Sequence, residues 1–282
     1  MKRLFIIVAL CLASVSVFAQ KSVVVVDYFE YANSVVPSYA DAVRSSIIQG
    51  INQMNRLTLI DAAKESSLAL EEERRDSEKA ALDITARTGQ MKTLGAEYIV
   101  TGNVTNVSAT RRTDSEGKVS YRGNIVYSVT VLKVEDGSVV GTKNYTHSDI
   151  ATGSGTTEEL AINDTYRYCV NSMENFVQEF FPLKGAIVEM AEAKGDKVKS
   201  CYISLGTSVG VLKGQTLDAF AVKTIAGRTV ETKIGSLTIS EVVAEDLSLC
   251  KVTTGAKEIM AASKDGMEIV VKTKPDPLWK VW

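Results

Sequence analysis

The sequence predicts a two-domain α+β protein, in which an N-terminal α/β sheet-and-helix domain precedes a small all-β barrel or sandwich. The valine run Val23 to Val26 is typical of a strand that is buried on both faces of a sheet. Apolar residues at steps of three and four over residues 38–55 indicate an amphipathic helix. After residue 185 the pattern changes to short strands separated by glycines, with almost no helical periodicity, which favours the all-β domain.

The first nineteen residues have the three parts of a secretory signal peptide. Lys2 and Arg3 supply the positive end, residues 4–12 form an apolar segment, and a cleavage site with small or modest side chains ends at Ala19. We therefore predict an exported protein, periplasmic or associated with the outer membrane, whose mature chain begins at Gln20. The apolar segment is too short to span a bilayer stably.

A lipid anchor on Cys11 is the alternative to a freely soluble mature protein. Leu10 stands where a small residue is expected before a lipid-bearing cysteine, and cleavage there leaves a very short apolar segment. The soluble form is favoured, and peripheral association with the membrane stays open.

The charge balance argues against a nucleic-acid-binding protein. The full chain has 32 basic and 34 acidic residues, and the signal peptide removes two basic residues and no acid, which leaves 30 against 34 and a net charge of −4. Nucleic-acid-binding domains usually carry a basic excess. About 260 mature residues with 45% hydrophobic side chains are enough for two packed domains.

Three cysteines remain in the mature chain: Cys169, Cys201 and Cys250. In an oxidising compartment an odd number leaves one unpaired, and Cys201 and Cys250, both in the C-terminal half, are a possible disulfide pair. None has the C-x-x-C spacing of a zinc or redox site, so buried thiols that act as small hydrophobic side chains are the favoured interpretation for all three.

The N-terminal domain, residues 20–181, is predicted to alternate strands and helices. After the valine strand, residues 28–36 read as a loop, and Pro37 suits the first turn of the amphipathic helix. A short strand follows at residues 57–61. Residues 62–94 have helical spacing, with a break expected near Gly89.

A long antiparallel section completes this domain. The turn residues at 114–118 and 135–137 separate three predicted strands, which are followed by a Gly/Thr/Ser loop at 151–157 and a helix at 158–181. The C-terminal domain is assigned to residues 182–273, with strands expected at 186–191, 199–204, 217–224, 235–243 and 248–253. Residues 274–282 form an aromatic tail in which Trp279 and Trp282 either bind a partner or pack against the barrel.

Two resemblances accompany these patterns. The order of elements and the segment LGAEYIVTG at residues 94–102 resemble the α/β domain shared by the curli-secretion lipoprotein and the lipoprotein activators of penicillin-binding proteins. Residues 185–273, with VKSCYISLG at 198–206 and GVLKGQTL at 210–217, resemble the C-terminal β domain of the flagellar assembly protein T. Similarity of fold does not carry function, so nothing in the second resemblance implies flagella.

The resemblances imply a non-enzymatic cell-envelope protein that binds a protein partner or assists assembly. The partner's identity is not contained in the sequence. The alternative is an oligomeric secretion or assembly component of the curli-secretion type, in which the chain forms a homo-oligomer. Neither family supplies catalytic residues to these positions, and we predict no enzymatic activity, cofactor or metal.

A serine hydrolase is the second alternative, because residues 206–210 match the G-x-S-x-G nucleophile motif around Ser208. That motif acts where a strand turns into a helix beside a histidine base. The residues after Gly210 return to a β pattern, and His147, the one histidine of the chain, precedes the serine and lies in the other domain. A turn is the favoured interpretation, and His147 is expected at the surface.

Asp27 is the remaining candidate binding residue. It follows the valine strand, and α/β folds bind ligands at the carboxyl ends of their strands. Capping of the following loop is the alternative role for this side chain.

Overall fold

A computed structural model describes residues 21–65, 84–225 and 227–274. It combines helices with a mixed sheet and a closed barrel, as an α+β fold requires. The predicted cleavage site at Ala19 and Gln20, the possible lipid site at Cys11, and the tail residues Trp279 and Trp282 lie outside the described residues. None of the helices within the described ranges has the length and apolarity needed to cross a membrane.

Six strands form the mixed sheet: β1 (Ser22–Tyr31), β2 (Leu57–Asp61), β3 (Tyr98–Thr113), β4 (Val119–Lys133), β5 (Val139–His147) and β6 (Ser154–Gly155). Their order is β2-β1-β3-β4-β5, and β6 pairs with β4 beyond the end of β5. β1 is parallel to β2 and β3, whereas β3, β4 and β5 are antiparallel. The strands after β3 therefore widen the sheet in one direction only, towards β5.

Helices cover both faces of the sheet: α1 (Pro37–Gln53), α2 (Ile84–Thr93) and α3 (Glu158–Phe180). α1 and α3 enclose the main core against β1, β3 and β4. α2 contributes Met91 to a smaller core on the opposite face, against Val25 and Ile99. Because the valines of β1 alternate between these two cores, Val24, Val25 and Val26 are all fully buried, which confirms the prediction of a strand buried on both faces.

Several details of this part differ from the sequence-based expectation: residues 62–65 form a turn rather than the start of a helix, and residues 154–155, within the expected loop, pair with β4. β1 continues through a bulge to Tyr31, where a loop was expected, because Phe29 and Tyr31 still pair with β3. The helix α2 runs through Gly89 without the predicted break, and nothing lies close enough to Gly89 to force one. A glycine inside a helix costs roughly 1 kcal/mol without ending it.

The barrel is closed by six strands: β7 (Lys184–Lys194), β8 (Lys197–Ile203), β9 (Thr216–Ile225), β10 (Arg228–Val242), β11 (Ser248–Thr254) and β12 (Ile269–Thr273). Their order around the barrel is β10-β11-β8-β7-β12-β9. The sequence was compatible with either a barrel or a sandwich. The structure has a barrel, because β12 pairs with both β7 and β9 and so closes the sheet. Whether barrel and sheet are independent domains stays a prediction.

The prediction of an all-β second half was incomplete. A nine-residue helix, α4 (Ala256–Lys264), precedes β12, and neither element was predicted. α4 buries Ile259 and Ala262 in the barrel core. With only two buried apolar residues in nine, α4 is too short for its spacing to indicate a helix. β12 is a strand because it pairs with residues about fifty and eighty positions earlier in the chain.

A short turn of the barrel contacts the sheet part. Gly210 ends a 3-10 turn (Thr207–Val209), has a φ of 73°, and lies so close to α1 that a Cβ atom there would be 2.2 Å from the carbonyl oxygen of Met54. Glycine is needed here for both reasons, the left-handed backbone and the close approach.

Candidate functional site

Asp27 lies inside β1 and caps the backbone beside it. Its Oδ1 accepts a hydrogen bond from the amide of Tyr28 at 2.8 Å, and its carbonyl oxygen accepts one from Arg44 Nε at 2.8 Å. Capping was the alternative role stated for this residue, and the hydrogen bonds agree with it. A ligand-binding role for Asp27 stays a prediction.

Arg44 is a buried cation that joins α1 to the middle of β1 and to the carboxyl end of β2. Besides its bond to Asp27 it donates to the carbonyl oxygen of Val26 at 2.9 Å and to Oδ1 of Asp61, and its guanidinium lies 5.6 Å from the ring centroid of Tyr28. Burial raises the pKa of Asp61, but hydrogen bonding and charge attraction from Arg44 outweigh it and hold this pKa below its ordinary value. Arg44 and Asp61 neutralise each other's charge, and their hydrogen bonds hold α1 against β1 and β2.

His147 is buried, which makes the prediction of a surface position wrong. The last residue of β5 is only 7% exposed because Tyr127, Tyr145 and Tyr168 surround its ring at centroid distances of 5.7 to 6.4 Å. Burial lowers the pKa of His147 to about 4, so the imidazole is neutral at pH 7. The signal that sequence reasoning missed is the cluster of tyrosines on β4, β5 and α3.

Neither Ser172, which lies beside His147, nor Ser208 of the hydrolase motif has the geometry of an activated nucleophile. Ser172 Oγ is 3.4 Å from His147 Nε2 but donates its proton to the carbonyl oxygen of Tyr168 at 2.8 Å. Ser208 lies in the 3-10 turn, with no α-helix after it, and donates to the carbonyl oxygen of Glu245 at 2.6 Å. The strand-to-helix elbow that the hydrolase motif requires is not formed at Ser208.

Cys201 and Cys250 face each other across neighbouring strands of the barrel. They are directly paired in the register of β8 and β11, and both are completely buried as free thiols. Burial raises the pKa of each thiol to about 12. The possible disulfide between them stays a prediction, while Cys169 lies separately, in the core of the sheet part. Within the described ranges no group of three or more His, Cys, Asp or Glu residues could hold a metal ion.

The outer edge of the sheet is formed by β5, the loop after it, and β6. No described strand pairs with the outer side of β5, whose side chains at Val139, Val140, Thr142, Asn144 and Thr146 are exposed. Proteins usually protect such an edge with charges, prolines or bulges. β5 has one bulge, at its start, and one charge, Lys143, which is neutralised by an ion pair with Glu179.

The edge loop, defined as Ser148–Gly155, is held by hydrogen bonds to β4 and α3. Thr152 Oγ1 donates to the carbonyl oxygen of Gly123 at 2.7 Å, and the amide of Gly123 donates to Gly153 at 3.1 Å. On the helix side the amide of Gly153 donates to Thr165 Oγ1 at 3.1 Å, and that of Ser154 donates to an Asp164 carboxylate oxygen at 3.0 Å. The side chains of Thr152, in the loop, and of Thr165, beneath it on α3, are both buried.

The tip of the edge loop is fixed by two arginines of the β3–β4 hairpin. Arg112 Nη2 donates to Asp149 Oδ1 at 3.0 Å, and Arg122 Nη1 donates to the carbonyl oxygen of Asp149 at 2.6 Å. Asp149 itself has a φ of 56°, a left-handed conformation that costs a non-glycine residue about 1–2 kcal/mol. The surrounding hydrogen bonds must offset this cost.

Ile150 is at the apex of the edge loop and is 87% exposed, more than any other large apolar side chain of the described residues. Single exposed apolar residues are common and need no explanation by themselves. Here the backbone on both sides is anchored, and one neighbour is held in a strained conformation. Strained residues held by their surroundings cluster at binding and catalytic sites. The edge loop and β5 together are therefore the candidate functional site.

Comparison with known proteins gives fold likenesses alone. No family model matches the chain, and no curated protein matches it. Solved structures similar to it include a PelC dodecamer from Paraburkholderia phytofirmans (13% identity, 54% of this chain and 88% of that chain, TM-score 0.31). Others are the LpoB C-terminal domain from Escherichia coli (14%, 46% and 85%, TM-score 0.33) and a lipoprotein from Neisseria meningitidis (8%, 44% and 81%, TM-score 0.30). Likenesses with TM-scores this low carry no argument about function.

Proposed function

We propose that this chain is an exported, non-enzymatic protein of the cell envelope that binds a partner protein through the outer edge of its mixed sheet. The observation that carries the proposal is the edge itself, a strand whose outer side pairs with no described strand and which is continued by an anchored loop. An open strand offers a row of backbone N–H and C=O groups to which an extended segment can add. The predicted signal peptide supports an interaction outside the cytoplasm.

The chemistry of the described residues supports binding rather than catalysis. The hydroxyl protons of Ser172 and Ser208 are engaged by backbone carbonyl oxygens, and the imidazole of His147 is enclosed by tyrosines. The edge, in contrast, carries side chains suited to strand addition, because β5 has two β-branched valines and two β-branched threonines, and its one charged side chain, Lys143, is neutralised by an ion pair. The bound segment is expected to be uncharged and extended.

Photocrosslinking in intact cells tests this proposal. A photoreactive amino acid at Thr142 or Thr146 on β5 is expected to give one discrete adduct with another protein. The same amino acid at Thr229 or Thr232, which are exposed on β10 of the barrel, is the matched control and is expected to give none. Absence of any adduct at the β5 positions, or equal adducts at all four, would contradict the proposal.

The second candidate function is a homo-oligomeric assembly component, and the same edge favours it. An open strand can pair with a second copy of the chain as readily as with another protein. The two functions differ in the mass of the adduct, because self-pairing yields twice the mass of the mature chain. Light scattering at increasing protein concentration supplies the second readout, and a monomer throughout excludes the oligomer.

A further inference from the structure

We infer that Ile150 is the anchor residue of this interaction and that it enters an apolar pocket with an acidic rim on the partner protein. The inference rests on the proposed function and adds the chemistry of the surface that the edge loop recognises. It follows from three properties of the loop: its anchored backbone, its exposed apex and the charge beside that apex.

The anchored backbone makes Ile150 a pre-organised side chain. The amides of Gly153 and Ser154 and the carbonyl of Asp149 are all hydrogen-bonded to β4, α3 or the hairpin arginines. Three glycines make the close packing possible, since a Cβ atom at Gly123, Gly153 or Gly155 would lie 2.0 to 2.6 Å from atoms of α3. A loop already ordered in the free protein loses little entropy on binding, so more of the contact energy appears as affinity.

The exposed apex provides the apolar contact. Full burial of one isoleucine is worth about 10- to 100-fold in affinity. Contributions of this size come from a few side chains that fill dry pockets at the centre of an interface. At 87% exposure, Ile150 has nearly its whole surface available for such a pocket.

The charge beside the apex is positive. Arg112 is half-exposed and shares its charge with Asp149, but Arg122 contacts only the carbonyl oxygen of Asp149 and forms no ion pair with a carboxylate of the described residues. The chain has a net charge of −2, so this group of two arginines and one carboxylate has the opposite sign to the chain as a whole. Carboxylates around the partner's pocket would complement it and accelerate association.

A protein pocket fits these features better than a lipid surface. One myristoyl chain, which is far longer than an isoleucine side chain, gives only marginal membrane binding. The side chains of Ile150, Arg112 and Arg122 are therefore too few to give stable binding to a lipid bilayer. A protein pocket, in contrast, can desolvate a single anchor completely.

The test measures the yield of the Thr142 photoadduct in the full-length chain. Ile150→Asp is expected to lower this yield at least about tenfold, since a carboxylate cannot enter an apolar pocket with an acidic rim. Ile225→Asp is the matched control, because Ile225 is also a well-exposed isoleucine but lies at the end of β9 in the barrel. That variant is expected to keep the yield, and thermal unfolding checks that both variants fold.

The charge is tested separately with a pair of variants at one position. Arg122→Gln removes the charge and is expected to lower the yield about threefold or more, whereas Arg122→Lys keeps the charge and most of the yield. Arg228→Gln, at an exposed arginine of the barrel, is the control and changes nothing. An equal loss for Gln and Lys at position 122 would contradict the acidic rim.

Each outcome separates the inference from the proposed function. An unchanged adduct in Ile150→Asp overturns the anchor and leaves partner binding at β5 intact. No adduct from the unsubstituted chain overturns both. An adduct of two copies of this chain, or sedimentation of the full chain with phosphatidylglycerol vesicles that Ile150→Asp abolishes, overturns the protein pocket.

Discussion

The edge loop and the 3-10 turn of the barrel are held by similar hydrogen bonds, but the apolar side chain of the loop is exposed and that of the turn is buried. Each follows a strand, contains a left-handed residue (Asp149 or Gly210), and fixes its backbone by a hydroxyl-to-carbonyl hydrogen bond. The barrel turn buries Val209, which is 3% exposed, whereas the edge loop leaves Ile150 87% exposed. The turn therefore forms a contact within the chain, whereas the edge loop presents an apolar side chain to the surroundings, which is the basis of the proposed binding role.

Substitution of Gly210 should produce the largest effect, because the barrel turn depends on its contact with α1. Gly210→Ala combines a φ of 73° with a Cβ atom 2.2 Å from the Met54 carbonyl oxygen, and we expect a loss of about 3 kcal/mol in unfolding free energy. Gly214→Ala is the control, since its φ is 86° but nothing lies within 4 Å; about 1 kcal/mol is expected. Equal losses in urea unfolding would mean that the contact is absent.

Acid should lower the unfolding free energy through His147, which lies where β5 leads into the edge loop. The pKa of this imidazole is about 4 when folded and near 6.5 when unfolded, so the unfolded chain takes up the proton first as the pH falls. Stability is therefore lost between pH 6.5 and 4, by about 2 kcal/mol at pH 5, and changes no further through this group below pH 4.

The control for the acid effect is His147→Gln, in which the loss between pH 7 and pH 5 should disappear. Asp61 and Asp218, whose pKa values are lowered in the folded chain, lose their contribution at lower pH, below their ordinary value of 3.8. An unchanged slope in His147→Gln above pH 5 would show that another group titrates.

Truncation of Val209 should destabilise the protein more than truncation of Ile150. Val209→Ala removes buried methyl groups and is expected to cost about 2 kcal/mol, whereas Ile150→Ala is expected to change the unfolding free energy by less than about 0.5 kcal/mol. Calorimetric unfolding of both variants measures this. A large loss for Ile150→Ala would mean that Ile150 packs within its own chain.

The buried hydroxyl under the edge loop should have the smallest of the four effects on stability. Thr165→Val keeps the side-chain shape but leaves the Gly153 amide without its acceptor, so a loss of about 1.5 kcal/mol is expected in unfolding free energy. Thr146→Val, at an exposed position on β5, serves as the control and should change little. A neutral Thr165→Val would show that the loop is held by other contacts.

The parts of the fold that depend on local pattern were predictable from the sequence. The valines of β1, the apolar spacing of α1 and the Glu135–Gly137 turn each determine their element within a few residues. The closure of the barrel by β12 was not predictable, because it results from pairing between segments far apart in the chain.

The candidate site was harder to predict than the fold. The Gly/Thr/Ser composition of residues 151–157 indicated a loop, but the amides that bind Thr165 and Asp164 are brought to α3 by tertiary packing. The exposure of Ile150 and the burial of His147, two residues only three positions apart, depend on neighbours from other elements. Hydrophobicity alone assigns both to the wrong environment.

Hydrogen exchange measures whether the edge loop is ordered in the free protein, as binding through Ile150 requires. The amides of Gly153 and Ser154 are both donors in the anchoring network. In the free protein we expect these two amides to exchange at least about 1,000-fold more slowly than in an unstructured peptide. Exchange at the rate of an unstructured peptide would show that the loop is unanchored and that Ile150 is not pre-organised for binding.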